Sequence, residues 1–179
     1  MFDLDRFVAD LRASLAERSR GAMKEIVARA IADPDSLLHR IGEPGKAGIR
    51  VLHRAPDLTV LNAIWAPNQF AQPHNHRMSA VIGMYSGRED NMFWRRVSDR
   101  DIPKIEVAGG QALGTGDVTI LGRDIIHSVV NPLAKLSGAI HVYDGDLFGM
   151  DRSMWNPETL VEQPYDIGIL VATPVEGAG

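Results

Sequence analysis

Along the N-terminal stretch, apolar residues recur at helical spacing. Phe2, Leu4, Phe7, Val8, Leu11 and Leu15 fall on one side of a helix, and Met23, Ile26, Val27, Ala30 and Ile31 repeat the pattern after Gly21. The pattern predicts two amphipathic helices. A third, shorter one follows, with Asp33 as N-cap, Pro34 at the first helical position, Leu37, Leu38 and Ile41 on its apolar side, and Gly42 as terminator. At "GEPGKAG" the helical period stops.

From about Ile49 to Tyr143 the chain becomes a series of short segments rich in β-branched and aromatic residues: "IRVLH", "LTVLNAIW", "SAVIGMY", "NMFWRRV", "KIEVA", "DVTIL", "HSVV" and "GAIHVY". Turn chemistry separates them at "RAPD", "APNQ", "YSGRED", "AGGQALGTGD" and "NPLAKLSG". No helical pattern intervenes between strands, as a parallel sheet would require, so the expected architecture is an antiparallel barrel or sandwich behind a helical cap. After Tyr143, "DGDLFGMDRSMWNPETLVEQPYD" reads as an irregular loop over one barrel end, with Met150, Met154 and Trp155 at the pocket mouth, and "IGILVA" as a last edge strand. The expectation is a single domain over 1–179, with a helical segment (1–43), a β core (48–145) and a covering segment (146–179).

Composition narrows the function classes. Nineteen basic and 23 acidic residues give a net charge of -4 with no Lys/Arg block, so no nucleic-acid partner is expected. The chain has no cysteine, which rules out disulfides, zinc thiolates and a cysteine nucleophile together and leaves His or carboxylate for any metal. The acidic start "MFDLDRFVADLRASLAERSR" does not read as a signal peptide, and no apolar run reaches bilayer length. A cytoplasmic protein with no membrane partner is expected, as a monomer or homodimer.

The chemistry concentrates in "QPHNHRMSA". In a strand, residues i and i+2 share a face, so His74 and His76 send both imidazoles to one point if that face lines the barrel. The alternative is a solvated strand edge. A third histidine is available at "GTGDVTILGRDIIHSVVNP", where a turn, an apolar strand and a second tight turn return His127 and Asn131 to the same region.

These residues resemble the cupin superfamily, which implies a mainly β fold, the cupin double-stranded β-helix (jelly-roll barrel), here with N-terminal α-helices. Its second motif is matched by Gly116, then Gly122-Arg123-Asp124, His127 and Asn131, with Gly122 and Asp124 replacing the family's Pro and Gly. Its first is matched by His74, His76 and Gly87, with Ala80 where the family has a glutamate ligand. Loss of that carboxylate leaves three neutral histidines, similar to the cysteine dioxygenase branch, the thiol dioxygenases. The resemblance runs from roughly Arg50 to Phe148 and implies His74, His76 and His127 as ligands of Fe(II), with Ni, Zn, Mn or Cu as metals a recombinant protein could carry instead.

Two further matches bear on the site. "AIHVY" resembles the family's S-x-H-x-Y strand, which makes His141 and Tyr143 the residues beside the metal, the Tyr hydroxyl donating to oxygen or product and the His orienting it. The alternative is a satisfied core pair. "GIRVLHRAPDLTVLNAIW" resembles the strand carrying the family's carboxylate anchor and places Arg50 there, with His53, Arg54 and Arg77 as competitors. Ala139 replaces the Ser of the triad and Asn75 stands where the family often has Asp; with no cysteine, Tyr143 stays a free phenol. The implied activity is dioxygenation of a small carboxylate-bearing thiol, of the cysteine or 3-mercaptopropionate type, by O2. A cupin of other metal chemistry (carbon oxygenation, or Lewis-acid isomerisation or hydrolysis) and a non-catalytic ligand-binding cupin remain open alternatives.

Overall fold

The computed structural model describes residues 1–97 and 104–172. Three helices come first: α1 (Leu4–Ala16), α2 (Arg20–Ile31) and α3 (Pro34–Ile41). Each starts on a polar N-cap whose side chain takes an otherwise orphaned backbone N–H: Asp3 from Arg6, Ser19 from Ala22 and Asp33 from Ser36. Gly42, at φ 86°, ends α3 in a conformation that a side chain would strain.

Nine strands follow: β1 (Gly48–Arg54), β2 (Thr59–Trp65), β3 (Phe70–Asn75), β4 (Ala80–Ser86), β5 (Arg88–Val97), β6 (Lys104–Gly114), β7 (Val118–Leu121), β8 (Ile126–Val130) and β9 (Ser137–Tyr143). The chain continues through β10 (Ser153–Trp155), β11 (Glu162–Pro164) and helix α4 (Ile167–Ala172). They form two antiparallel sheets, one in the order β1-β2-β9-β4-β7 and the other β11-β10-β3-β8-β5-β6. This is a double-stranded β-helix, and its interior lies between the two sheets.

Strand alternation sorts the first sheet into two faces. Val60, Val81, Tyr85, Ile140 and Val142 point outward, where Phe7, Leu11, Met23, Val27 and Leu37 of the helices cover them in one apolar cluster. Gly83 permits the close approach, because a Cβ there would lie 2.5 Å from Val27. Inward, Leu61, Ala80, Ile82, Met84, Ala139 and Tyr143 join Leu113 and Leu121 in a second apolar cluster. Its members Leu61 and Tyr143 border the buried histidines.

Four sequence expectations change. "AGGQALG" is not a turn: β6 runs through it to Gly114, because it pairs with β5 along its whole length and a bulge opposite Phe93/Trp94 takes up one extra residue before Gly109. "YSGRED" narrows to a turn at Gly87, φ 79°, and Glu89 and Asp90 belong to β5. The covering segment contains the hairpin β10-β11, added to the second sheet beside β3. "IGILVA" is a helix rather than an edge strand; Asp166 accepts the Gly168 N–H at 2.7 Å at its start, and α4 packs against β3. Among the described residues no helix is long and apolar enough to cross a membrane.

Candidate metal centre

His74 lies near the end of β3, His76 just beyond it, and His127 on β8, directly opposite His74 in the β3-β8 register. All three are buried. Their Nε2 atoms converge, His76 standing 3.3 Å from His74 and 3.3 Å from His127. The ligand atoms of this cluster all fall within 4.8 Å of one another.

The bonds behind the rings set the tautomers. His74 Nδ1 faces the Gln72 carbonyl at 2.8 Å, which only accepts, so Nδ1 carries the proton. His127 Nδ1 faces Asn91 Oδ1 at 2.6 Å, and Asn91 is held that way round because its amide donates to Glu89 Oε1 at 3.0 Å. Both Nε2 atoms are therefore bare lone pairs aimed into one space. Nitrogens about 3.0–3.4 Å apart are what a metal with bonds of about 2.1 Å and ordinary ligand angles requires. The donor set thus fits a divalent cation. Desolvation pulls His74 down to about 4 against the opposing bond to Gln72, and burial likewise holds His76 and His127 well below their ordinary range. All three are neutral ligands at neutral pH.

Ala80, at the position of the family's glutamate, is fully buried in the apolar cluster with Tyr143. No carboxylate joins the three histidines in a ligand cluster among the described residues.

The histidines open into a cavity of about 40 Å³, also lined by Ile49, Leu61, Trp65, His141, Tyr143 and Arg152. Tyr143 meets the His76 ring edge-on at 5.0 Å and bonds through its hydroxyl to His141 Nδ1 at 3.1 Å. Burial pushes the Tyr143 phenol up, so it stays protonated. Asn131 is a staple: its amide donates to the Ala66 and Lys135 carbonyls and its Oδ1 accepts from Leu133 and Ser137.

Arg50 is not in this cavity. Alternation on β1 turns Ile49 inward and leaves Arg50 exposed, where Nη1 donates to the Ile41 carbonyl and caps the C-terminus of α3. Its rivals are also elsewhere: Arg54 pairs with Asp146 at 2.8 Å and stacks on Phe148, Arg77 is exposed at φ 56°, and His53 does not line the cavity. The arginine that does is Arg152, just before β10. Its guanidinium carbon sits 3.7 Å from the Tyr165 ring centroid, and its Nε is buried with no hydrogen-bond partner among the described residues. Met150, Met154 and Trp155 do not line the cavity; Leu147, Phe148, Tyr165 and Ile167 fill that role.

The sequence reading also missed two inward residues of β5, Glu89, hidden inside an apparent turn, and Asn91, at the start of an expected strand but given no role. Glu89 is 0% exposed, and Oε2 accepts from Trp65 Nε1 at 2.9 Å. Burial alone would raise its carboxyl, but His141, Asn91 and Trp65 together hold it below the usual range.

No protein-family model matches the chain, and no curated protein matches it. Among solved structures it is similar to a conserved protein with a double-stranded β-helix domain from Klebsiella pneumoniae, at 15% identity and TM-score 0.46, over 63% of this chain and 81% of that one. It is also similar to oxalate decarboxylase from Bacillus subtilis, at 19% identity and TM-score 0.38, over 51% of this chain and 22% of the enzyme. The chain is thus a double-stranded β-helix with N-terminal helices and a three-histidine candidate metal centre.

Proposed function

We propose that this chain is a metal-dependent thiol dioxygenase that adds both atoms of O2 to the sulfur of a small, carboxylate-bearing thiol, giving the sulfinate. The observation that carries this reading is the carboxylate-free face of three histidines, sharing one small cavity with a phenol and a guanidinium whose buried Nε has no hydrogen-bond partner among the described residues. The motif resemblance to the thiol dioxygenase branch supports it.

A divalent metal on His74, His76 and His127, Fe(II) in this proposal, supplies the Lewis acidity and redox chemistry that join O2 to sulfur. The protein supplies the rest. Arg152 replaces Arg50 as the carboxylate anchor: stacking on Tyr165 fixes the plane of its guanidinium, and its free Nε offers a charge-assisted bond. Leu61, Val129, Leu147 and Phe148 exclude water. A cavity this tight favours a ligand of few heavy atoms, of the cysteine or 3-mercaptopropionate class. Thiolate plus O2 balances to sulfinate, so no further reductant is needed.

The test is anaerobic loading with Fe(II), then oxygen uptake over a panel of carboxylate thiols, with His127→Ala as control. Uptake matched one-to-one by sulfinate and lost in the variant is expected. Iron binding without uptake for any thiol would overturn the activity.

A further inference from the structure

Glu89 stands where two chains of polar groups meet, one joined to it by a hydrogen bond from Asn91 and the other by the His141 contact at 3.6 Å, and neither chain holds another carboxylate. Alternation along β5 turns Glu89 and Asn91 inward while Arg88 and Met92 face out. A buried carboxylate is costly unless donors surround it, and here three do: Asn91 Nδ2 at 3.0 Å on Oε1, Trp65 Nε1 at 2.9 Å on Oε2, and His141 Nε2 at 3.6 Å from Oε2. His141 Nε2 is itself buried with no hydrogen-bond partner among the described residues, so Glu89 is the acceptor it faces.

We propose that Glu89 is a positioning residue that fixes proton placement in both halves of the site, on His127 through Asn91 and on Tyr143 through His141. A carboxylate only accepts, so every group around it must present a proton. On one side this turns the Asn91 amide toward Glu89, leaves Asn91 Oδ1 for His127 Nδ1–H, and frees His127 Nε2 for a metal. On the other it puts a proton on His141 Nε2, leaves Nδ1 as a lone pair, and draws the Tyr143 O–H toward it. The phenol oxygen then lines the cavity as an acceptor. This reverses the donor role that the family resemblance implies for Tyr143, and Glu89 takes over the orienting of His141 that a serine at position 139 would perform. The inference deepens the proposed function at the same site but does not depend on thiol chemistry.

The test is nuclear magnetic resonance on uniformly 15N-labelled, metal-free protein, where long-range 1H–15N correlations report the tautomer of each histidine, with zinc affinity measured separately. The expected result is His141 protonated at Nε2 and His127 at Nδ1. Glu89→Gln has nearly the same shape but carries a donor on one arm. Whichever arm that is, it should invert a histidine: His141 if it faces His141, or His127 by flipping Asn91. If the His127 arm inverts, zinc affinity should fall about ten- to a hundredfold. His141 protonated at Nδ1 in the native protein would overturn the inference, and so would both tautomers persisting in Glu89→Gln. Should that variant not fold, the native spectrum alone decides the His141 arm. Neither thiol nor O2 enters the experiment, so the proposed activity and this inference fail separately.

Discussion

The two sides of the helix-bearing sheet share one backbone and follow opposite rules. On β9, Ile140 and Val142 face the helices as part of an apolar cluster, while His141 and Tyr143, one residue away, bond to each other and approach the buried carboxylate of Glu89. The outer side is held by non-directional burial, so size and shape suffice there. The inner side is held by donor and acceptor direction, and a single reversed amide changes what the site can bind.

The sharpest separation should come from His127→Ala. Removing one of three converging ligands is expected to abolish tight metal binding in equilibrium dialysis while the far-ultraviolet circular dichroism stays native; a variant that still binds zinc tightly would break the comparison. Ile140→Ala should do the opposite, costing about 2–5 kcal/mol in denaturant unfolding with metal affinity of the folded protein unchanged.

Acid should act on the inner side alone. His74 is pulled down to about 4 from an ordinary 6.5, so the unfolded chain takes up its proton first. Stability of the metal-free protein is then complete above about 6.5 and declines as pH falls toward 4, by on the order of 3 kcal/mol from His74 alone. Urea titrations across that range would check it, and a flat profile would argue that the histidines are hydrated. The smallest effects distinguish two arginines. Arg152→Gln should raise the KM for a carboxylate thiol by about ten- to a hundredfold, equivalent to one lost charged hydrogen bond. Arg50→Ala should leave KM alone and cost about 1 kcal/mol of stability, through the α3 cap.

Where local chemistry and tertiary structure agreed, the sequence was legible. The helix cap at Asp33, the turn at Gly122-Arg123-Asp124, and the alternation of "AIHVY" all depend on neighbours a few residues away. The convergence of His74, His76 and His127 followed from strand periodicity plus motif spacing. Glu89 was hidden because "GRED" is polar throughout and reads as a turn; only pairing with β8 and β6 makes it a strand with one buried side. Arg152 was hidden because its role comes from a hairpin of three-residue strands, whose stability depends on β3 and not on its own propensity. Arg50 falls on the outward set of β1 while Ile49 beside it lines the cavity, and in a strand one position is the whole difference between inside and outside.

That hairpin makes the site a ruler. Met154 pairs with His74 across β10 and β3, Asn75 Oδ1 accepts the Ser153 N–H at 3.0 Å, and Tyr165 N–H bonds the Arg152 carbonyl at 3.1 Å. The histidine cluster and the guanidinium are therefore spaced by backbone ladder, whose step does not stretch to suit a ligand. Under the proposed function, a thiol that spans both must bring its own matching length, so the carbon count between its sulfur and its carboxylate is what this spacing would select.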